Sequence, residues 1–112
     1  MSTGVARRIE SIKKNTGISS TNIAHIVGTS AQTLSRWTAG KNEPQLDHLE
    51  RLLSLDYLAE QLSEFFEPQD VKLWLLAPHP QLNGERPVDL LSKDRFKEVL
   101  AVIERLKDSA YI

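Results

Sequence analysis

The chain has 112 residues, of which 40% are hydrophobic, with a net charge of −1 and no cysteine. A chain of this length forms one domain or two very small ones, and it buries only about two-thirds of its unfolded surface, so self-association is a reasonable expectation. The lack of cysteine excludes disulfides and thiolate metal sites, no apolar run reaches the roughly 18 residues that span a bilayer, and the first residues lack a signal-peptide core. We therefore expect a folded cytoplasmic protein with no membrane segment.

The charge is divided unevenly along the chain. Residues 1–44 carry six basic side chains against two acidic ones, whereas residues 45–112 carry eight basic against thirteen acidic. A basic end suits a polyanion such as nucleic acid, and an acidic end suits a different partner. The alternative is an uneven surface charge without functional meaning.

The chain begins with the pattern of a short helix. Val5, Ile9 and Ile12 recur at i, i+4 and i+7, which is typical of a helix with one apolar stripe. The segment Asn-Thr-Gly then ends this helix, and Ser19 or Ser20 can cap the next one by accepting a hydrogen bond from a free backbone N–H.

The second and third predicted helices are joined by the short segment Gly-Thr-Ser. The second helix ends at Gly28, and Ser30 caps a third helix that ends at Gly40. Leu34 and Trp37 are predicted to face the core. Two helices of about seven to nine residues with such a turn form a helix-turn-helix pattern.

This part of the chain, about residues 5–60, resembles the Xre/phage-repressor class of helix-turn-helix domains. The residues that carry the resemblance are Ala24, Gly28, Ser30, Trp37, Gly40 and Pro44. In that class the third helix enters the major groove, and its early residues touch base edges. The base-contacting residues that the resemblance implies here are Ala31, Gln32, Thr33 and Arg36, and the implied phosphate-contacting residues are Ser19, Ser20 and Lys41.

The side chains of the third helix suit these roles. Gln32 can pair with adenine through two hydrogen bonds, Thr33 can contact a thymine methyl group, and Arg36 can reach guanine or phosphate. The alternative is a scaffold that has lost DNA binding, since this helix has only one cation.

The second half begins with a long helical segment. No glycine or proline interrupts the chain from Gln45 to Phe66, which predicts one long helix or two consecutive ones. Its apolar residues fall on two faces, one with Leu46, Leu49, Leu53 and Tyr57, the other with Leu52, Leu55, Ala59, Leu62 and Phe66. We expect both faces to be buried, the start of the helix on the helix-turn-helix and its end on the following unit or a second subunit.

Three further helices are predicted after this segment. Pro68 suits the first turn of a helix that Pro78 ends, and a turn-rich loop leads to a short helix at residues 87–91. Asp94 is expected to open the last helix, whose apolar stripe contains Phe96, Val99, Leu100, Ile103 and Leu106. The predicted fold class is therefore all-α.

Residues 60–112 look like the toxin-binding domain of Xre/MbcA/ParS antitoxins. The matching residues are Trp74, Pro78, Leu82, Gly84, Pro87, Asp89, Leu90 and Leu91 around the loop, with Val99, Leu100 and Ile103 in the last helix. Ser109 departs from the family, which often has glycine there. Together the two resemblances imply a phage-repressor-like helix-turn-helix domain at residues 1–60 and a small helical toxin-binding domain at residues 61–112.

The resemblance implies an antitoxin that binds a RES-domain toxin, an enzyme that destroys NAD, and obstructs the toxin's substrate cleft. It places the toxin contact at the C-terminal tail, Ser109, Ala110, Tyr111 and Ile112. The polar tip of the loop between the prolines, from His79 to Arg86, is also expected to be free for a partner. Trp74, Leu90 and Leu91 would anchor that loop. The alternative is a tail that packs on its own domain or frays.

Other function classes remain as alternatives. We expect no enzyme, metal or cofactor, because the histidines have no ligand spacing and no glycine-rich phosphate loop is present. The chain is expected to be a homodimer, since palindromic operators require two-fold symmetry. A stand-alone transcriptional repressor whose C-terminal half only dimerises, or a pure protein-interaction module, would share the same pattern.

Overall fold

The computed structural model describes residues 4–110, and within them the chain is helical, with no strand. The helices are α1 (Gly4–Thr16), α2 (Ser20–Val27), α3 (Ala31–Thr38), α4 (Leu46–Ser63), α5 (Pro68–Leu76), α6 (Pro87–Ser92) and α7 (Phe96–Ala110). A short 3-10 turn, Pro80–Leu82, lies between α5 and α6. The predicted all-α fold class is confirmed.

The local chemistry of the caps explains where α2 and α3 begin. Ser19 is the cap of α2: its hydroxyl accepts a hydrogen bond from the backbone N–H of Asn22 (3.1 Å) and donates one to the side-chain oxygen of Asn22 (2.8 Å). The hydroxyl of Ser30 accepts the backbone N–H of Thr33 in the same way (3.1 Å). Gly28 ends α2 with φ at 88°, a conformation that glycine adopts without steric cost.

One hydrophobic core holds the described chain together. The helix α1 packs on α4 and α5, and α2 packs on α3, α4 and α6, so apolar side chains from both halves enter a single cluster. The predicted domain boundary at residue 60 falls inside α4. The division into two domains therefore stays a prediction, while the described helices share one core.

The long predicted segment is one helix, but its two apolar faces have different fates. The face with Leu52, Leu55 and Leu62 is buried, whereas Leu46 is 70% exposed and Tyr57 is 46% exposed. The expectation that both faces are buried is wrong for the described chain. At 100° per residue the two faces point in nearly opposite directions, and the neighbouring helices cover only one of them.

The last helix begins two residues later than predicted. Asp94 lies in a turn with φ at 63°, and α7 starts at Phe96. The backbone N–H of Arg95 donates to the oxygen of Leu90 (3.0 Å) and that of Asp94 to the oxygen of Leu91 (3.1 Å). The short polar side chain of aspartate tolerates the left-handed conformation better than most residues, so Asp94 forms the turn instead of opening the helix.

Among residues 4–110 no helix is long and apolar enough to cross a membrane.

Candidate functional site

The outward face of α3 is the first candidate surface. Leu34 and Trp37 are buried in the core, as predicted. Gln32 and Arg36 are exposed on the opposite side of the helix. No described side chain forms a hydrogen bond or ion pair with either of them, so both are available to a ligand.

A shallow recess borders this face and contains residues that the sequence reasoning missed. It lies between the end of α1, the start of α2 and α3, and it is lined by Lys13, Ser20, Ala31, Ser35, Thr38 and Ala39. Ala31 and Ser20 were predicted contacts, but Lys13 and Ser35 were not. The signal for Ser35 was available, because it follows Ala31 by four residues and such residues share a helix face.

Thr33 occupies the other side of α3. It is half-buried, its hydroxyl accepts a hydrogen bond from Ser30 (3.0 Å), and it lines a separate groove with Trp37 and His48. The ring centroids of Trp37 and His48 are 5.7 Å apart, so this contact holds the start of α4 beside α3. Gln32 and Arg36 thus share one exposed face of α3, and the half-buried Thr33 lies at the edge of that face, beside the groove.

The predicted phosphate contacts lie at both ends of this surface. Ser19 is exposed, but its hydroxyl is engaged in the cap of α2, and Ser20 is half-buried in the first turn. Lys41 is exposed beyond α3, and its backbone N–H donates to the oxygen of Arg36 (2.9 Å). The exposed backbone N–H groups at the start of α2 give this end a partial positive charge.

The loop between α5 and α6 is the second candidate surface, and it is more ordered than the sequence suggested. The ring Nε2 of His79 donates a hydrogen bond to the main-chain oxygen of Trp74 (2.7 Å). The centroids of the His79 and Trp74 rings are 4.8 Å apart. The backbone N–H of Gly84 donates to the oxygen of His79 (2.9 Å). Leu82 is buried beneath the loop. Because its ring is bound to the main chain of Trp74, His79 is not free, contrary to the prediction.

Arg86 is also engaged, although it stays exposed. Its guanidinium donates two hydrogen bonds to the carboxylate of Asp89 (2.9 and 3.1 Å), as expected for a surface ion pair. The same carboxylate lies 3.4 Å from Nε2 of His25 on α2, so α6 contacts the helix-turn-helix. The hydrogen bonds from Arg86 hold the pKa of Asp89 below its usual value, and the same pair raises the pKa of Arg86.

A second charged cluster holds the end of α6 and the start of α7. Glu85 pairs with Lys93 (3.1 Å) and Arg95 (3.4 Å), and Arg95 also pairs with Glu98. The hydrogen bond between Arg95 and Glu98 is the main reason why the pKa of Arg95 is raised and that of Glu98 is lowered.

The apolar anchors of the α5–α6 loop are packed as predicted. Trp74 packs against the core, and Leu90 and Leu91 are buried, which confirms their predicted role as anchors of the loop.

The predicted C-terminal contact is only partly within the described chain. Ser109 is exposed in the last turn of α7, and Ala110 is the last residue of that helix. Tyr111 and Ile112 lie outside the described residues.

The exposed α3 surface and the helices around it define a helix-turn-helix protein, and the family model for the helix-turn-helix matches residues 9–56. The whole chain is similar to a probable mycobacterial cidal antitoxin of Mycobacterium tuberculosis (strain ATCC 25618 / H37Rv), with 34% identity over 96% of this chain and 91% of that protein. It is also similar to the mycobacterial cidal antitoxin MbcA of Mycobacterium bovis, with 29% identity over 86% of this chain and 85% of that protein. The chain belongs to the family of mycobacterial cidal antitoxins.

The fold agrees with this assignment. A chain in the crystal structure of the M. tuberculosis MbcT–MbcA toxin–antitoxin complex superimposes with a TM-score of 0.84, covering 98% of this chain and 99% of that one at 26% identity. The similarity therefore includes both the helix-turn-helix and the helices that follow it.

Proposed function

We propose that this protein is the antitoxin of a toxin–antitoxin pair, that it binds and blocks a RES-domain toxin that degrades NAD, and that it represses its own operon. The observation that carries the proposal is the likeness over nearly the full length to a protein solved in a toxin–antitoxin complex. A helix-turn-helix alone would support only the repressor half. We place the protein in the cytoplasm, where both NAD and its operator are found.

The toxin-blocking part is tested by co-expression. The gene product encoded next to this chain is produced in bacteria with and without it, and cellular NAD is measured. We expect NAD to collapse with the neighbour alone and to be maintained when this chain is present. NAD collapse in both cases would reject the antitoxin function in favour of a stand-alone repressor, and unchanged NAD with the neighbour alone would reject the NAD-degrading partner.

The toxin contact is assigned to the tail from Ser109 to Ile112 and to the α5–α6 loop around Arg86. The tail is apolar and contains the aromatic ring of Tyr111, which suits a pocket shaped for an aromatic cofactor. Arg86 remains exposed in its pair with Asp89, so it can meet an acidic group of the toxin. His79 is assigned a supporting role, because its ring is bound to the main chain of Trp74.

The DNA-binding part is assigned to the exposed face of α3. Gln32 and Arg36 would contact base edges, with Ala31 beside them, and Ser19, Ser20 and Lys41 would contact phosphates. Thr33 is kept as a contact at the edge of this face, since it is half-buried. The assignment of DNA binding to α3 is tested by a gel shift at fixed salt with DNA from upstream of the gene. The double variant Gln32→Ala/Arg36→Ala should bind this DNA more weakly than wild type, while toxin binding is unchanged. Equal DNA affinity would reject α3 as the helix that contacts the bases.

We further propose a homodimer in which a second copy covers the exposed face of α4. The stripe of Leu46, Leu49, Leu53 and Tyr57 runs for about 17 Å along the helix, at 1.5 Å per residue. The ring of Tyr57 lies beside that of Phe96, with 6.5 Å between the ring centroids, so the apolar surface extends toward α7. The helix begins beside α3, fixed there by Trp37 and His48, so a copy packed on this stripe brings a second recognition helix to the same side.

A further inference from the structure

Three lysines lie near the turn between α1 and α2, and one of them comes from the C-terminal half. Lys13 and Lys14 are in the last turn of α1. Lys72 belongs to α5, yet its side chain lies along Gly17: a Cβ at Gly17 would be 3.7 Å from Cδ of Lys72 and 3.8 Å from its Cβ. The helices α1 and α5 pack together here, which fixes Lys72 beside the turn.

The position of Lys72 relative to the predicted phosphate contacts follows from the chain itself. Ser19 is two residues after Gly17, and two residues span at most about 7 Å. The stem of Lys72 is therefore within roughly 10 Å of the cap of α2, a distance comparable to the screening length of about 8 Å at physiological salt. A phosphate bound at the start of α2 would be close enough for the charge of Lys72 to attract it.

None of the three lysines forms a salt bridge with a described acidic side chain. The salt bridges of the described chain involve other basic residues, and none joins Lys13, Lys14 or Lys72 to a carboxylate within 4.0 Å. Acidic residues on the same helices, Glu10 on α1 and Asp70 on α5, form no such pair. By contrast, Lys93 and Lys107 in the same half as Lys72 are both paired with glutamates.

We propose that Lys72, with Lys13 and Lys14, contacts the DNA backbone beside the site that α3 reads. The inference rests on the proposed DNA-binding function and extends it to a residue outside the helix-turn-helix. Lys13 also borders the recess that contains Ser20 and Ser35, so the lysines continue the α3 surface toward α5. The C-terminal half is then part of the DNA-binding surface as well as the toxin-binding one.

The test measures how affinity depends on salt, since each phosphate contact adds about 0.9 to the slope of log affinity against log salt. The full-length chain and its Lys72→Gln variant are titrated with a duplex from upstream of the gene and with a random-sequence duplex of equal length. For Lys72→Gln we expect the magnitude of the slope to decrease by about 0.9, which is roughly an eightfold loss of affinity at ~0.1 M salt. The loss should be similar for both duplexes, because a phosphate contact does not read sequence.

Two further variants make the result specific. Arg105→Gln removes an exposed cation from α7 and should leave the slope unchanged, and Lys72→Arg should keep the wild-type slope. If the wild type binds DNA but Lys72→Gln has the same slope as Arg105→Gln, the lysine contact is overturned while the DNA-binding function stands. If the wild type binds neither duplex, the DNA-binding function itself fails, and this inference fails with it.

Discussion

The guanidinium of Arg51 donates a hydrogen bond to the main-chain oxygen of Ser92 across 3.1 Å. The same group lies against the turn of the helix-turn-helix, where a Cβ at Gly28 would be 3.2 Å from its Nη1. One side chain of α4 therefore contacts both the turn between α2 and α3 and the end of α6. The two functional surfaces are held by a shared support.

Replacing Arg51 by methionine should weaken this support. The variant keeps the apolar stem but leaves the oxygen of Ser92 without its charged donor, so we expect the free energy of unfolding to fall by about 1–2 kcal/mol. Urea denaturation followed by circular dichroism measures the change. Arg105→Met is the matched control, since Arg105 is exposed on α7, and an equal loss in both variants would contradict the supporting role.

The pair between Arg8 and Asp56 should be a second point of sensitivity. Asp56 is only 3% exposed, its Oδ2 lies 2.6 Å from Nη1 of Arg8, and its Oδ1 has no hydrogen-bond partner within the described chain. Arg8→Ala leaves a buried carboxylate without its counter-charge, so we expect a loss of about 2–3 kcal/mol in the free energy of unfolding.

A double-mutant cycle checks that explanation. Replacing both residues, Arg8→Ala with Asp56→Leu, removes the buried charge along with its partner and should recover most of the loss. A double variant that is as unstable as the sum of the two single ones would show that the charges do not interact.

The contact of Asp89 with Arg86 predicts a pH dependence. Because the folded state holds the pKa of Asp89 below its usual value, its stabilisation is complete above the unfolded pKa, near 3.9, and is lost as the pH falls through the folded pKa. Asp89→Asn should therefore lower the urea midpoint at pH 7, and the difference from wild type should shrink as the pH falls below the unfolded pKa.

Asp108→Asn provides the comparison, since Asp108 is an exposed carboxylate on α7. It should have the same urea midpoint as wild type at every pH tested. A difference between Asp89→Asn and wild type that does not shrink as the pH is lowered would mean that the substitution acts through packing and not through charge.

Removing Ala110–Ile112 should abolish toxin neutralisation without unfolding the protein. Among the described residues of α7 the last fully buried one is Ile103, and Asp108 and Ser109 just before the deleted segment are exposed. Growth of cells that co-express the neighbouring gene product reports neutralisation, and a thermal melt reports the fold. Full protection by the truncated chain would reject the tail as the blocking element; an Arg86→Ala variant then tests the loop as the alternative contact.

Leu53→Glu should disrupt the proposed homodimer. Leu53 is 37% exposed at the centre of the α4 stripe, so a charge there is tolerated in the monomer but is buried in a dimer. Light scattering at micromolar concentration should show a dimer for wild type and a monomer for the variant. The control is Leu73→Glu, since Leu73 is 67% exposed on α5, away from the stripe. A wild-type monomer would reject the dimer.

Most of the helices could be predicted from the sequence because their signals are local. The caps Ser19 and Ser30 act through hydrogen bonds to residues three positions later, and Gly28 is needed for one backbone conformation. The pattern around Trp74 likewise identified the anchors of the loop. Such features depend on a few neighbouring residues, so they can be read before any tertiary contact is known.

Contacts between distant segments could not be predicted in this way. The apolar stripe of Leu46, Leu53 and Tyr57 looked as buried as the opposite face of α4, because periodicity indicates an apolar face but not which neighbour covers it. The loop residue His79 looked free because its partner is a main-chain oxygen, which carries no sequence signal.

The helices, their caps and the pattern shared with a family of antitoxins could be predicted from the amino-acid order alone, since each depends on local backbone chemistry or on spacing. Three features of the folded chain could not: α5 brings Lys72 to Gly17, α6 brings Asp89 to His25, and one face of α4 stays exposed. They depend on how the helices pack around a shared core, which brings together residues that are far apart in the chain.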